Sequence, residues 1–254
     1  MTRYRRPLAL RPEPAGEVPN TAMVLAAGLG KRMRPLTATR PKPLIEVGGR
    51  ALIDHVFDHL RAAGIAKAVV NVHYLADALE AHLSNRVEDV EIIISDERDA
   101  LLETGGGLAR ALPLIDADPF LVINSDNLWI DGPVDSLRLL ASAWDGRKMD
   151  ALLLLVPLAS AHCHKGQGDF HMSAAGKLRR RKSGGVAPFV FTGIQIVSKR
   201  LFEAPLPDGA FSTNLLWDRA IAGGRLYGAV HQGLWFDIGA PENIRKAEEM
   251  MAAG

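Results

Sequence analysis

Residues 23–44 read MVLAAGLGKRMRPLTATRPKPL, and this stretch decides the fold. It continues an apolar run of buried-strand length, Thr21-Ala22-Met23-Val24-Leu25-Ala26. A turn of small residues follows, Ala27-Gly28-Leu29-Gly30, and then the cations Lys31, Arg32, Arg34, Arg40 and Lys42. Small residues let the backbone approach a ligand closely, and N–H groups freed by such a turn bind anionic oxygens. Arg and Lys just beyond the turn add the charge and forked donors that phosphates need. The stretch predicts a polyphosphate loop at the carboxyl end of the first strand of an open α/β sheet. Spacing excludes two familiar loops. A dinucleotide fingerprint needs a third small residue where Met33 stands, and a Walker A loop needs Ser or Thr where Arg32 follows Lys31.

Outward from the loop, strand-like and helix-like patterns alternate. Leu52, Ile53, Val56, Phe57 and Leu60 form a helical stripe that ends at Gly64. Residues 68–72, 91–95 and 120–124 are apolar runs of strand length, with a helix expected over 75–83. Another helix is expected from Thr104, as its N-cap, to about Leu112. This alternation predicts a Rossmann-like, doubly wound, mostly parallel sheet. Beyond the core strand 151–157, short segments at 168–172, 177–181 and 189–197 predict a small antiparallel extension. A helix over 214–222, strands near 226–230 and 234–237 and a helix from Glu242 complete the reading. Residues 21–254 are expected to form a single domain, and 1–20, rich in Arg and Pro, a flexible extension or an arm packed on a partner.

Composition narrows the function. Thirty basic against 29 acidic side chains imply no general nucleic-acid or membrane field. The one cysteine, Cys163, cannot form an internal disulfide, and residues 1–20 lack the apolar middle of a secretory signal, so a cytoplasmic protein is expected.

Two strand ends carry acids. Asn124-Ser125-Asp126-Asn127 closes one apolar strand, and Asp237 follows Trp235-Phe236 at another. Such ends are where open α/β sheets hold their ligands, and a pair of carboxylates with substrate phosphates suffices for Mg²⁺. A strand-end Asp is also an ordinary turn or cap residue, and sequence alone does not bring these two together. Leu102-Glu103-Thr104-Gly105-Gly106-Gly107 is a second glycine-rich element, either a glycine-softened helix start or an edge against which a base can lie. His162-Cys163-His164 lacks the spacing of a zinc site.

The order LAAGxGxRMxPLT followed by Pro41-Lys42-Pro43-Leu44 resembles the signature of the sugar-1-phosphate nucleotidyltransferases, the NDP-sugar pyrophosphorylases. Gly166-Gln167-Gly168-Asp169-Phe170, Phe191-Thr192-Gly193-Ile194 and Gly209-Ala210-Phe211 are similar to the sugar-side loops of one subgroup, the N-acetylmuramate-1-phosphate uridylyltransferases of cell-wall sugar recycling. The resemblance implies transfer of a uridylyl group from UTP to that sugar phosphate, with Mg²⁺ as cofactor and a monomer or homodimer as the working form. It assigns Leu25, Ala26, Ala27, Gly28, Gly30, Lys31, Arg32, Lys42, Glu103, Thr104 and Gly105 to the nucleotide. It assigns Asn124, Asp169, Gly193 and Asp237 to the sugar side, with Asp169 as an exposed carboxylate. It implies that Arg32, Lys42 and Asp126 carry catalysis and that Asp126 and Asp237 hold the metal. Ser125 and Ala240 stand where many members have Gly and Thr. The family's Glu-Lys-Pro run is missing; Arg180-Arg181-Lys182-Ser183 occupies its neighbourhood. Three alternatives share parts of the pattern: another sugar-1-phosphate nucleotidyltransferase, a phosphocholine-type cytidylyltransferase, and a non-catalytic sugar-nucleotide-binding regulatory subunit. A metal-dependent glycosyltransferase fits less well, because Asn124-Ser125-Asp126 lacks a paired Asp-x-Asp.

Overall fold

A computed structural model describes residues 16–85 and 90–252. In chain order they form β1 (Thr21–Leu25), β2 (Glu46–Val47), β3 (Arg50–Ala51), α1 (Leu52–Ala63), β4 (Lys67–Val72), α2 (Ala76–Ser84) and β5 (Glu91–Asp96). Next come α3 (Glu103–Ala111), β6 (Phe120–Asn124), β7 (Leu128–Ile130), α4 (Ser136–Ala143), β8 (Ala151–Pro157) and β9 (Ala161–His162). The chain ends with β10 (Phe170–Met172), β11 (Leu178–Arg180), β12 (Phe189–Val197), α5 (Asn214–Ala222), β13 (Leu226–Val230), β14 (Leu234–Phe236) and α6 (Pro241–Ala252).

Strand β1 lies at the middle of the main sheet, parallel to β4 on one side and β6 on the other, and β5 continues parallel to β4. Beyond β6 the direction reverses. β12 runs antiparallel to β6 and β8, and β10 and β11 extend it as an antiparallel flap. The expected doubly wound sheet with an antiparallel extension is therefore what the chain forms.

Both faces of β1 are covered, which is why its sequence is continuously apolar. Ala22 and Val24 pack with Phe57 and Leu60 of α1, Leu79 of α2 and Leu140 of α4. Met23 points the other way, to Leu108 of α3 and Leu216 and Trp217 of α5. α1 stops at Gly64, whose φ of +81° suits glycine; its N–H and that of Ile65 close the helix on Arg61 O and Leu60 O. A second, three-stranded sheet, β7-β14-β9, stands beside the first. It has its own small core, in which Met33, Leu52, Leu128, Phe236, Ile238 and Ala247 meet.

Several expectations need correction. β7, β9 and α4 have no counterpart in the sequence reading. α4 is announced by the apolar stripe Leu137, Leu140, Ala141 and by Asp135, whose carboxylate accepts the Leu137 and Arg138 N–H groups. Thr104 does not cap α3: the helix starts at Glu103 after Leu102, and the Thr104 hydroxyl instead accepts the Thr213 N–H. Residues 1–15 of the expected extension lie outside the described residues. Residues 16–20 rest on the body, for Val18 packs on the core and Asn20 O accepts from Ala66 and Lys67. No helix among the described residues is long and apolar enough to cross a membrane.

Candidate functional site

The carboxyl ends of β1, β4 and β6 open into a cleft of about 600 Å³. Leu25, Ala26, Ala27, Gly28, Gly30, Lys31, Arg32, Lys42, Glu103, Thr104, Asn124 and Asp126 all line it, as do Asn71, Ser125, Ser212 and Gly239. The chain brings most of the sequence-predicted residues to one place. Gly105, Asp169, Gly193 and Asp237 are not in its wall.

The loop after β1 is held from below. Ala26 N–H is taken by Asn71 Oδ1 at 2.6 Å, and Gly30 O accepts the Thr37 hydroxyl at 2.9 Å. Gly30 needs to be glycine on two counts: its φ is +58°, and a Cβ would lie 2.9 Å from Thr37 Cγ2. Gly28 differs. Its φ is ordinary and a Cβ there would meet nothing within 4 Å, so the space beside it is free for a ligand. Lys42 is set between Pro41 and Pro43 at the start of a short 3₁₀ turn, and Nζ forms a close ion pair with Asp126 at the end of β6. The lysine side chain is only 14% exposed, so this is a sheltered pair facing the cleft.

Asp237 sits just beyond β14, and its Oδ2 faces His164 Nδ1 at 3.0 Å. A Cβ on Gly239 would lie 2.8 Å from Asp237 Oδ1 and 3.4 Å from Arg32 Nη1. The carboxylate and the guanidinium therefore flank Gly239, itself part of the cleft wall. The two acids thus come from two sheets, each with one oxygen turned to a nitrogen partner. Among the described residues no group of three or more His, Cys, Asp or Glu is placed so that it could hold a metal ion. Asp126 lies in the cleft wall and Asp237 behind Gly239 at its edge, and carboxylate oxygens are the donors that a hard divalent ion takes together with water and phosphate oxygens.

The second glycine-rich element serves the protein itself. A Cβ on Gly105 would lie 2.5 Å from the Phe211 ring, and one on Gly106 would lie 2.6 Å from Gly209 O. One on Gly107 would lie 2.8 Å from both Asn71 Nδ2 and Glu97 Oε1. Gly105 and Gly106 also donate their N–H groups to Phe211 O. Glu103 and Thr104 are left as the part of this element that reaches the cleft.

On the sugar side the expected exposed carboxylate is not found. Asp169 is half-buried and its Oδ2 accepts the Phe191 N–H at 2.9 Å, fastening β10 to β12. Gly193 has a φ of +87° at the irregularity in β12 and stands against the amides of Asn124 and Asn127, so it seats Asn124 rather than facing the cleft. Within the basic cluster, Arg180 pairs with Asp218 and lies over Trp217, and Arg181 bonds Gly168 O and Gly185 O. Lys182 is exposed on the adjoining loop.

Sequence reading missed Asn71 and His164. Asn71 signals itself only as one amide inside an apolar strand, and His164 gives no sign of its partner 73 residues away.

Residues 21–161 match the family described as nucleotidyl transferase. The N-acetylmuramate alpha-1-phosphate uridylyltransferase of Caulobacter vibrioides is 45% identical over 93% of this chain and 98% of its own length. The protein of the same name from Neisseria meningitidis serogroup B is 33% identical over 91% and 98%. Among solved structures, the inositol-1-phosphate CTP transferase of T. maritima shares the fold with a TM-score of 0.75 at 20% identity, over 93% of this chain and 96% of that one. A UDP-glucose pyrophosphorylase in complex with UDP-glucose also gives 0.75, at 17% identity over 92% and 98%.

Proposed function

Because this chain belongs to the nucleotidyl transferase family, we propose that it transfers the uridylyl group of UTP to N-acetylmuramate 1-phosphate, giving UDP-N-acetylmuramate and pyrophosphate. Two relatives carrying that name support the choice of sugar and base, each aligned over nearly its whole length. The observation that carries the chemistry is the sheltered Lys42–Asp126 pair facing open space beside Gly28.

The attacking group is a phosphate oxygen, already anionic at neutral pH, so no general base is required. The work is to bring two polyanions together, align them and neutralise charge that builds on the α- and β-phosphates. Lys31 and Arg32 take the triphosphate as it enters over the Gly28 turn. Lys42 exchanges its carboxylate partner for an α-phosphate oxygen in the transition state. Asp126 and Asp237 are the residues that would hold magnesium, and the ion would supply positive charge against that building on the phosphates. Asn124, seated against Gly193, faces the sugar end.

The test is a pyrophosphate-release screen of N-acetylmuramate 1-phosphate, N-acetylglucosamine 1-phosphate and mannose 1-phosphate against four nucleoside triphosphates. Turnover is expected to be greatest for the first sugar with UTP. A different best pair would replace the substrate assignment, and silence with every pair would turn the reading toward a sugar-nucleotide-binding regulatory protein.

A further inference from the structure

Glu97 is a fully buried carboxyl that lines no part of the cleft, yet three features of the fold converge on it. Its Oε1 accepts from Asn71 Nδ2 at 2.7 Å, and Asn71, itself 2% exposed, takes the Ala26 N–H through its other amide atom. That chain of bonds ends in the first residue of the cationic loop. On the other side a turn closed by the Ala100 N–H on Glu97 O carries the chain on to Leu102. Leu102 leads straight into Glu103, held at a φ of +57°, and Thr104, which form the opposite wall of the cleft. Finally, Gly107 leaves room for the pair: a side chain there would press on Asn71 Nδ2 and Glu97 Oε1 together.

We propose that Glu97 is a positioning residue for the nucleoside triphosphate, setting the spacing between the two walls that grip it, through Asn71 on one side and the face of α3 at Gly107 on the other. The inference rests on the nucleotidyl-transfer reading and adds to it a residue outside the cleft. It also specifies the chemistry that the position needs. Glu97 Oε2 has no hydrogen-bond partner among the described residues, and burial favours the protonated, uncharged acid. The position requires an acceptor for Asn71 rather than a charge.

The experiment compares Glu97→Ala and Glu97→Gln with the unaltered chain by thermal unfolding, by direct titration with UTP alone, and by KM for each substrate. Glu97→Ala is expected to weaken UTP binding about tenfold, a change of about 1.4 kcal/mol. The KM of the sugar 1-phosphate should stay unchanged, and Glu97→Gln should return UTP affinity to nearly its original value. Unaltered UTP affinity in Glu97→Ala, an equal rise in both KM values, or a Gln variant as weak as the Ala variant would each overturn the proposal. Should Glu97→Ala fail to fold, Asn71→Ala cuts the same link and is judged by the same split between UTP and sugar phosphate. UTP titration needs no sugar, so an error in the sugar assignment leaves this test standing. If the screen selects another nucleotide, that nucleotide replaces UTP in the titration.

Discussion

Two glycine-rich stretches border the same cleft and do opposite things. At Gly28 the position a side chain would fill is empty, whereas at Gly105, Gly106 and Gly107 it is occupied by Phe211, Gly209 and the Asn71–Glu97 pair. In sequence both stretches say only that something comes close to the backbone. The first is open to a ligand, and the second is closed by the protein's own groups. A glycine marks an approach; the fold decides who approaches.

The largest effect expected of that contrast comes from the charged group beside the open turn. Lys42→Ala should unfold at the same temperature as the unaltered chain and lose on the order of 10²–10³ in turnover, read by pyrophosphate release. Full turnover in that variant would break the assignment of the open side to chemistry. Next come the two glycines themselves, compared directly. Gly105→Ala forces a methyl group against the Phe211 ring and carbonyl, and should lower stability by about 1–3 kcal/mol in denaturant titrations. Gly28→Ala should leave stability within about 0.5 kcal/mol while weakening the triphosphate about tenfold. Equal stability losses in the two variants would erase the distinction drawn between them.

The smallest effect is a pH dependence beneath the closed stretch. Burial holds the Glu97 proton more tightly than in the unfolded chain, opposed chiefly by the hydrogen bond from Asn71. The raised acid contributes stability that is complete below the ordinary glutamate range near 4.5 and is lost as pH climbs through its higher folded value. Glu97→Gln cannot titrate. The difference in melting temperature between it and the unaltered chain should therefore move steadily in favour of the Gln variant as pH is raised. A constant difference across that range would show that Glu97 keeps the same charge folded and unfolded.

What could be read in the sequence follows from how far apart the cooperating residues are. β1, β4, β6 and β8 are buried on both faces, so each is a plain apolar run, and the parallel sheet was legible from them. The Gly28–Lys42 loop was legible because its parts are neighbours in the chain. Lys42 and Asp126 are 84 residues apart, His164 and Asp237 are 73 apart, and Asn71 and Glu97 are 26 apart. No local pattern links such partners. Asp169 misled for the same reason: as a loop carboxylate it reads as exposed, until the Phe191 amide from a distant strand is brought against it. β7, with three residues, is too short to show any period.

The small core around Met33 has a mechanical corollary. Met33 follows Arg32 and Ile238 follows Asp237, and both are sealed into the same hydrocarbon cluster with Phe236 and Leu128. The backbones that carry the guanidinium and the carboxylate are thus anchored to one block whose internal spacing is fixed by close packing. Added salt, which screens exposed charges from one another, has little purchase on a distance set in that way. This half of the cleft should keep its shape across ionic strengths that would loosen a site assembled from surface ion pairs alone.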